Sequence, residues 1–174
     1  MTARTPAAPP HRLHYRVEAA DVHAHLFRVT LTIDEPVAQQ RVSLPVWIPG
    51  SYLVREFSKH LQRLVARQDG RVVPYHPMDK ASWQIECAHS SPLVITYEVY
   101  AWGNSVRTAW LDAHRGFFNR TSPCLGVLAQ RPSTTNLPGA GGEECALGAP
   151  AATLLDLERL TGDDARLAAR VTGT

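Results

Sequence analysis

Histidine is a common metal ligand and general base, and the eight histidines of this 174-residue chain include two close pairs, His11 with His14 and His23 with His25. A zinc peptidase of the common type needs two His one helical turn apart, with a Glu beside the first to act on the metal-bound water. No His here is followed by Glu. On a strand, His23 and His25 would share a face, a geometry that suits a weak metal site at most and solvated surface histidines more simply. A nucleophile elbow reads Gly-x-Ser-x-Gly, and Pro49-Gly50-Ser51-Tyr52-Leu53 lacks both the spacing and the second glycine, so Ser51 reads as a turn residue. Gly139 to Gly142 precede no Lys-Ser/Thr pair and follow no convincing strand, which makes them linker rather than a phosphate cradle. Asn119-Arg120-Thr121 satisfies a glycosylation sequon, to no effect without a secretory signal. The residues thus predict neither a catalytic group nor a metal ligand in this chain.

Two polar clusters carry more weight. Tyr52, Arg55 and Glu56 follow a Pro-Gly turn. Arg107, Asp112, Arg115 and Asn119 are interleaved with Trp110, Phe117 and Phe118. Charge mixed with bulky aromatic rings suits a surface half buried against a substrate or a second domain, because Arg and aromatic side chains anchor interfaces. The plainer alternative is an internal Arg-Asp pair that ties loops to a sheet.

Composition narrows the partners. The chain is 44% apolar and 20% charged with a formal net charge of +2, ordinary globular values that suggest no polyanion and so no nucleic acid. No stretch approaches the roughly 18 apolar residues of a membrane helix. Met1 to Pro10 contain no apolar signal core after Arg4, which predicts a cytoplasmic location. Three cysteines, Cys87, Cys124 and Cys145, are odd in number and widely spaced, as for reduced thiols.

The elements that would position these residues are strands. Phe27, Val29, Leu31 and Ile33 alternate with polar residues, as do Val42, Leu44, Val46 and Ile48, and Leu93, Ile95, Tyr97 and Val99. Leu13, Tyr15 and Val17 form another such series, and Trp83 with Ile85 a short one. Asp34-Glu35-Pro36, Pro49-Gly50-Ser51 and Asp69-Gly70 are turn signals between them. From about His60 a strand runs into the Asp-Gly turn, with a turn of helix before it. The fold class predicted is all-β, an antiparallel β-sandwich or saddle-shaped sheet, with an irregular or partly helical C-terminal tail. All Trp, Tyr and Phe residues lie at or before Phe118. The domain reading is therefore a flexible N-terminus at 1–12, a β domain at 13–122 and a low-order tail at 123–174, in which Leu154, Leu157, Leu160 and Leu167 could line an interrupted helix.

Leu44-Pro45-Val46-Trp47-Ile48-Pro49-Gly50-Ser51-Tyr52-Leu53-Val54-Arg55-Glu56-Phe57 resembles a signature segment of the amino-terminal domain of the glycyl aminopeptidases, metallopeptidase family 61. Asp79-Lys80-Ala81-Ser82-Trp83, Tyr97 to Ala101, Ser105 to Asp112 and Arg115 to Ser122 are similar to further family segments in the same order, so the resemblance covers about residues 13 to 122. It implies a β domain that packs against a thermolysin-like zinc domain, often followed by a PDZ domain, in an enzyme that removes amino-terminal glycine from peptides. The zinc ligands and catalytic Glu of such enzymes lie in the later domain, so the cofactor is implied for the parent enzyme and not for this chain. The partners implied are that zinc domain and a peptide substrate, with the two polar clusters as the contact residues. The abrupt change of composition after Ser122 is what a shifted reading frame in GC-rich DNA produces, and suggests a truncated fragment whose uncovered sheet face would favour aggregation. A standalone peptide- or glycan-binding module, and a small metalloenzyme built on His23 and His25, are the alternatives from other classes.

Overall fold

A computed structural model describes residues 13–47, 53–105 and 107–128, and the backbone alone of 152–156 and 169–173. The period-two residues form strands as their spacing requires. β1 (Leu13–Asp21) and β2 (Leu26–Ile33) make an antiparallel hairpin. Its turn is held by the Asp21 carboxylate, which accepts the N–H groups of His23 and Ala24 at 2.9 Å each. β3 (Gln39–Ser43) is followed, after a loop, by a single 3-10 turn over Phe57–His60 and by β4 (Leu61–Gln68). Asp69 and Gly70, with φ of 48° and 77°, adopt the left-handed pair that a tight hairpin requires and return the chain into β5 (Arg71–Val72). β6 (Tyr75–Pro77), β7 (Ser82–Glu86), β8 (Leu93–Tyr100), β9 (Ala109–Leu111), β10 (Arg115–Asn119) and β11 (Gly126–Leu128) complete the described domain. β12 (Ala152–Asp156) and β13 (Ala169–Gly173) add to its sheets.

All pairings are antiparallel. One sheet has the order β13-β1-β2-β8-β4-β5, a second β11-β3-β7-β6, and a third β12-β10-β9. The large sheet turns Tyr15, Val17, Phe27, Val29, Leu31, Ile33, Ile95 and Tyr97 inward, where they meet Val42 and Ile85 of the second sheet and Leu111 and Phe118 of the third. The rings of Phe27 and Phe118 meet edge to face, with centroids 5.6 Å apart. The arrangement is a sandwich of antiparallel sheets over one apolar core, as the alternation predicts.

Several local expectations are corrected. The third strand ends at Ser43 instead of running to Ile48: Leu44 still donates its N–H to Ala81, but Pro45 has no N–H to give, and Val46 is exposed. His23 and His25 lie in the β1–β2 turn, with His25 at a φ of 57°, and so do not share a strand face. Residues past Ser122 are part of the core, since Cys124, Leu125 and Val127 are buried and β11 pairs with β3. The Tyr15 and Tyr97 hydroxyls donate to the carbonyls of Leu125 and Pro123 at 2.5 and 2.6 Å. Where leucine spacing suggested a helix between Leu154 and Arg170, residues 152–156 pair with β10 and 169–173 with β1 as strands, the residues between lying outside the described ones.

Candidate functional site

Of the first polar cluster, Tyr52 lies outside the described residues. Arg55 and Glu56 occupy the loop ahead of the 3-10 turn. The Arg55 N–H donates to the Val46 carbonyl at 2.7 Å, closing that loop, and the exposed Glu56 carboxylate stands 4.0 Å from the Lys80 ammonium. At that distance and exposure the ion pair adds little.

The second cluster resolves into separate jobs. Asp112 organises the turn between β9 and β10: one carboxylate oxygen accepts the N–H groups of His114 and Arg115 at 2.8 Å each, and the other accepts the Trp110 indole N–H at 2.8 Å. The Trp110 hydrogen bond does most to lower its pKa, to about 2, with the backbone donors and the Arg115 charge adding to it. Arg115 is exposed, its Nε 3.7 Å from Asp112. Asn119 accepts the Thr121 N–H and hydroxyl at 3.1 and 2.7 Å and shapes the turn after β10. Arg107 is exposed on the loop before β9. The geometry is that of loops tied to a sheet, not of groups converging on a reacting atom.

What the structure does gather is a ladder of rings that the sequence reading passed over. Trp102 and Trp110 meet across an antiparallel bridge and stack with centroids 4.1 Å apart at 20°. The His25 imidazole lies on the other side of Trp102, centroids 3.8 Å apart, and its Nδ1 is 2.6 Å from the Leu111 carbonyl. Tyr100 stands edge-on to His25 at 6.2 Å, and His60 lies 6.2 Å from Tyr100 with its ring tilted by 34°. Burial, then the neighbouring Lys59 charge, pushes the His60 pKa down. The loop from Gly103 to Thr108 makes the bridge possible. Thr108 donates its hydroxyl toward the Gly103 and Ser105 carbonyls, and a Cβ at Gly103 would stand 2.4 Å from that hydroxyl oxygen. The signal in the sequence was a Trp pair flanking a Gly-Asn-Ser turn, which only strand pairing turns into a stack.

Trp102 is 47% exposed and Tyr100 42%. Among the described residues neither the Trp102 indole N–H nor the Tyr100 hydroxyl makes a hydrogen bond.

No three His, Cys, Asp or Glu side chains among the described residues come together as a metal would require, so zinc finds no ligand set in them. A groove at another part of the fold is lined by Gln68, Asp69, Arg71, Glu86, Cys87 and His89. Burial raises the Cys87 pKa, the wrong direction for a nucleophilic thiolate. Gln68 is consumed by hydrogen bonds to His89, Ser91 and Ala88.

Residues 14–137 match the family described as peptidase M61 N-terminal domain. Among solved structures, the chain is similar to an aminopeptidase N family protein from Idiomarina loihiensis, at 47% identity and a TM-score of 0.62 over 64% of this chain. It spans 19% of that protein's length. No curated protein matches. No helix of the described residues is long and apolar enough to cross a membrane.

Proposed function

The chain belongs to the peptidase M61 N-terminal domain family, and from that premise we propose that it is the non-catalytic amino-terminal domain of a glycyl-aminopeptidase-like zinc peptidase, shaping the substrate cleft and docking the catalytic domain. The family match carries this reading. The likeness to about a fifth of an aminopeptidase N family protein supports it, because a module of that share has the rest of a protein to pack against. Zinc and the residues that act on the peptide belong, on this reading, to the catalytic domain. The chain's own contribution on this reading is a wall of stacked rings and of loops closed by Asp112 and Asn119.

A module that stacks sugars on Trp102 finds less support, since His25 covers one side of that indole and Trp110 the other. We also propose that the chain is a truncated fragment of such a peptidase; the burial of Cys124, Leu125 and Val127 and a family match that runs to residue 137 favour a change of reading frame after codon 137. Resequencing through and beyond that codon, translated in every frame, tests it; a single open frame with no downstream His-Glu-x-x-His sinks it. The function itself is tested by offering the purified chain glycine p-nitroanilide with and without zinc. No turnover is expected, and saturable hydrolysis that survives repurification overturns the proposal.

A further inference from the structure

The proposed docking needs a surface, and Asp112 and Asn119 of the second polar cluster do not supply one, because they spend their hydrogen-bonding capacity on their own loops. The ring ladder has the opposite character. Its inner members are fixed: Asp112 holds the Trp110 indole, the Leu111 carbonyl faces His25, and Trp102 is clasped between the two rings. Its outer members, Tyr100 and Trp102, present apolar edges and two unused donors to solvent. Large aromatic side chains already held in one orientation lose little freedom on binding, which is what a strong interface anchor requires.

Electrostatics says what would meet it. On β8, Glu98 and Tyr100 point to the same outer face, as alternate residues of a strand do. Glu98 is buried there under two guanidinium groups, with Arg28 at 2.9 Å and Arg63 at 3.1 Å. Two cations on one carboxylate leave a net positive charge beside the exposed rings. Arg63 takes up this place from a bulge in β4 at a φ of 54°, a conformation uncommon outside glycine. Both arginines are substantially exposed. The complementary surface is therefore apolar at its centre, carries carbonyl or side-chain acceptors for the Trp102 and Tyr100 donors, and bears a carboxylate opposite the arginine pair.

We propose that Tyr100, Trp102, His25 and Trp110, with Arg28 and Arg63 as a cationic rim, form the surface on which the catalytic body of the peptidase docks. This rests on the docking reading above. The occupant is taken to be that body because the domain aligns with only 19% of a longer aminopeptidase-family chain, so a mature protein of that kind has several times this domain's surface available to cover it.

The test exchanges the matching segment of the Idiomarina protein for residues 13–128 of this chain, with a second exchange of residues 14–137 to guard against a poorly placed junction. Hydroxyl-radical footprinting with mass-spectrometric readout then compares each chimera with the free 174-residue chain. Tyr100 and Trp102 are expected to label readily in the free chain and about fivefold less in the chimera, the change that takes a half-exposed ring into an interface core. Tyr75, exposed on β6, should label equally in both. Equal labelling of Trp102 in the free chain and in either chimera that unfolds as a single transition overturns the proposal, as does failure of both chimeras to fold, since a compatible docking surface should tolerate one exchange or the other. Protection of Trp102 already in the free chain, lost on dilution, would assign the surface to a second copy and overturn it too. Protection in a chimera that no longer hydrolyses glycine p-nitroanilide would leave the surface standing and count against the cleft-shaping role instead.

Discussion

Asp112 shows how one carboxylate can look catalytic in sequence and act structurally in the fold. Its three donors favour the ionised form, so its pKa falls from the ordinary 3.8 to about 2. A depressed pKa contributes stability that is fully present above pH 4 and is lost as the pH falls through 2. Asp79 and Asp21 shift in the same direction, Asp79 chiefly through the Ser82 hydroxyl and Asp21 chiefly through the Ala24 N–H. Thermal melts followed by circular dichroism should therefore fall in midpoint between pH 4 and 2, and Asp112→Asn should flatten part of that fall. Asp112→Ala at pH 7 should cost about 1.5–3 kcal/mol by urea denaturation, the range for lost hydrogen bonds to a charged group; an unchanged midpoint would mean the turn holds without it. Gly103→Ala drives a methyl into Thr108 and should destabilise by about 1–3 kcal/mol, with a loss of the Trp–Trp exciton signal in the far-ultraviolet spectrum as the more specific sign.

At the scale of elements, the short segment after β10 matters more than its composition suggests. Cys124, Leu125 and Val127 enter the core, and the Tyr97 hydroxyl both donates to the Pro123 carbonyl and accepts the Leu125 N–H at 3.0 Å. Burial raises the Tyr97 pKa well above 10, so this hydroxyl stays protonated and keeps donating throughout the accessible pH range. Tyr97→Phe leaves two buried backbone groups without that partner and should cost about 1–3 kcal/mol. A chain ending at Ser122 would lose three buried apolar side chains, each worth about 1.5–3 kcal/mol at leucine size. The total is comparable to the roughly 5–15 kcal/mol stability of a domain. Such a chain should fail to unfold cooperatively in urea; a sharp transition like that of the intact chain would show the segment to be dispensable.

For the whole molecule, the sandwich buries one face of each sheet and leaves a ring ladder and an arginine pair outward. Large exposed aromatic side chains are a liability for a protein that works alone and an asset for one that docks. The free chain should accordingly bind a hydrophobic dye such as anilinonaphthalene sulfonate, and Trp102→Ser should weaken that binding. Equal dye fluorescence with the two proteins would indicate that the ladder is not adhesive.

Much of this was legible from residue order, because strands are written in a period of two that survives whatever the strands later pair with. Phe27 to Ile33, Leu93 to Val99, the Asp69-Gly70 turn and the helical turn before His60 all fall where local chemistry places them. So does the family, whose motifs are runs of adjacent residues. The end of β3 was misjudged because the alternation continues through Pro45, and the domain's true extent was hidden because Pro123 to Val127 have no strand rhythm. Only the tertiary structure decided which polar residues were already spent and which rings were left outward. His25, Tyr100, Trp102 and Trp110 come from a turn, a strand end, a loop and a different strand, and their stacking depends on the β2–β8 register and the Trp102–Trp110 bridge. Contacts set by pairing between distant segments leave no local pattern to read, which is why the sequence determined the sheets and the family while the fold determined the surface.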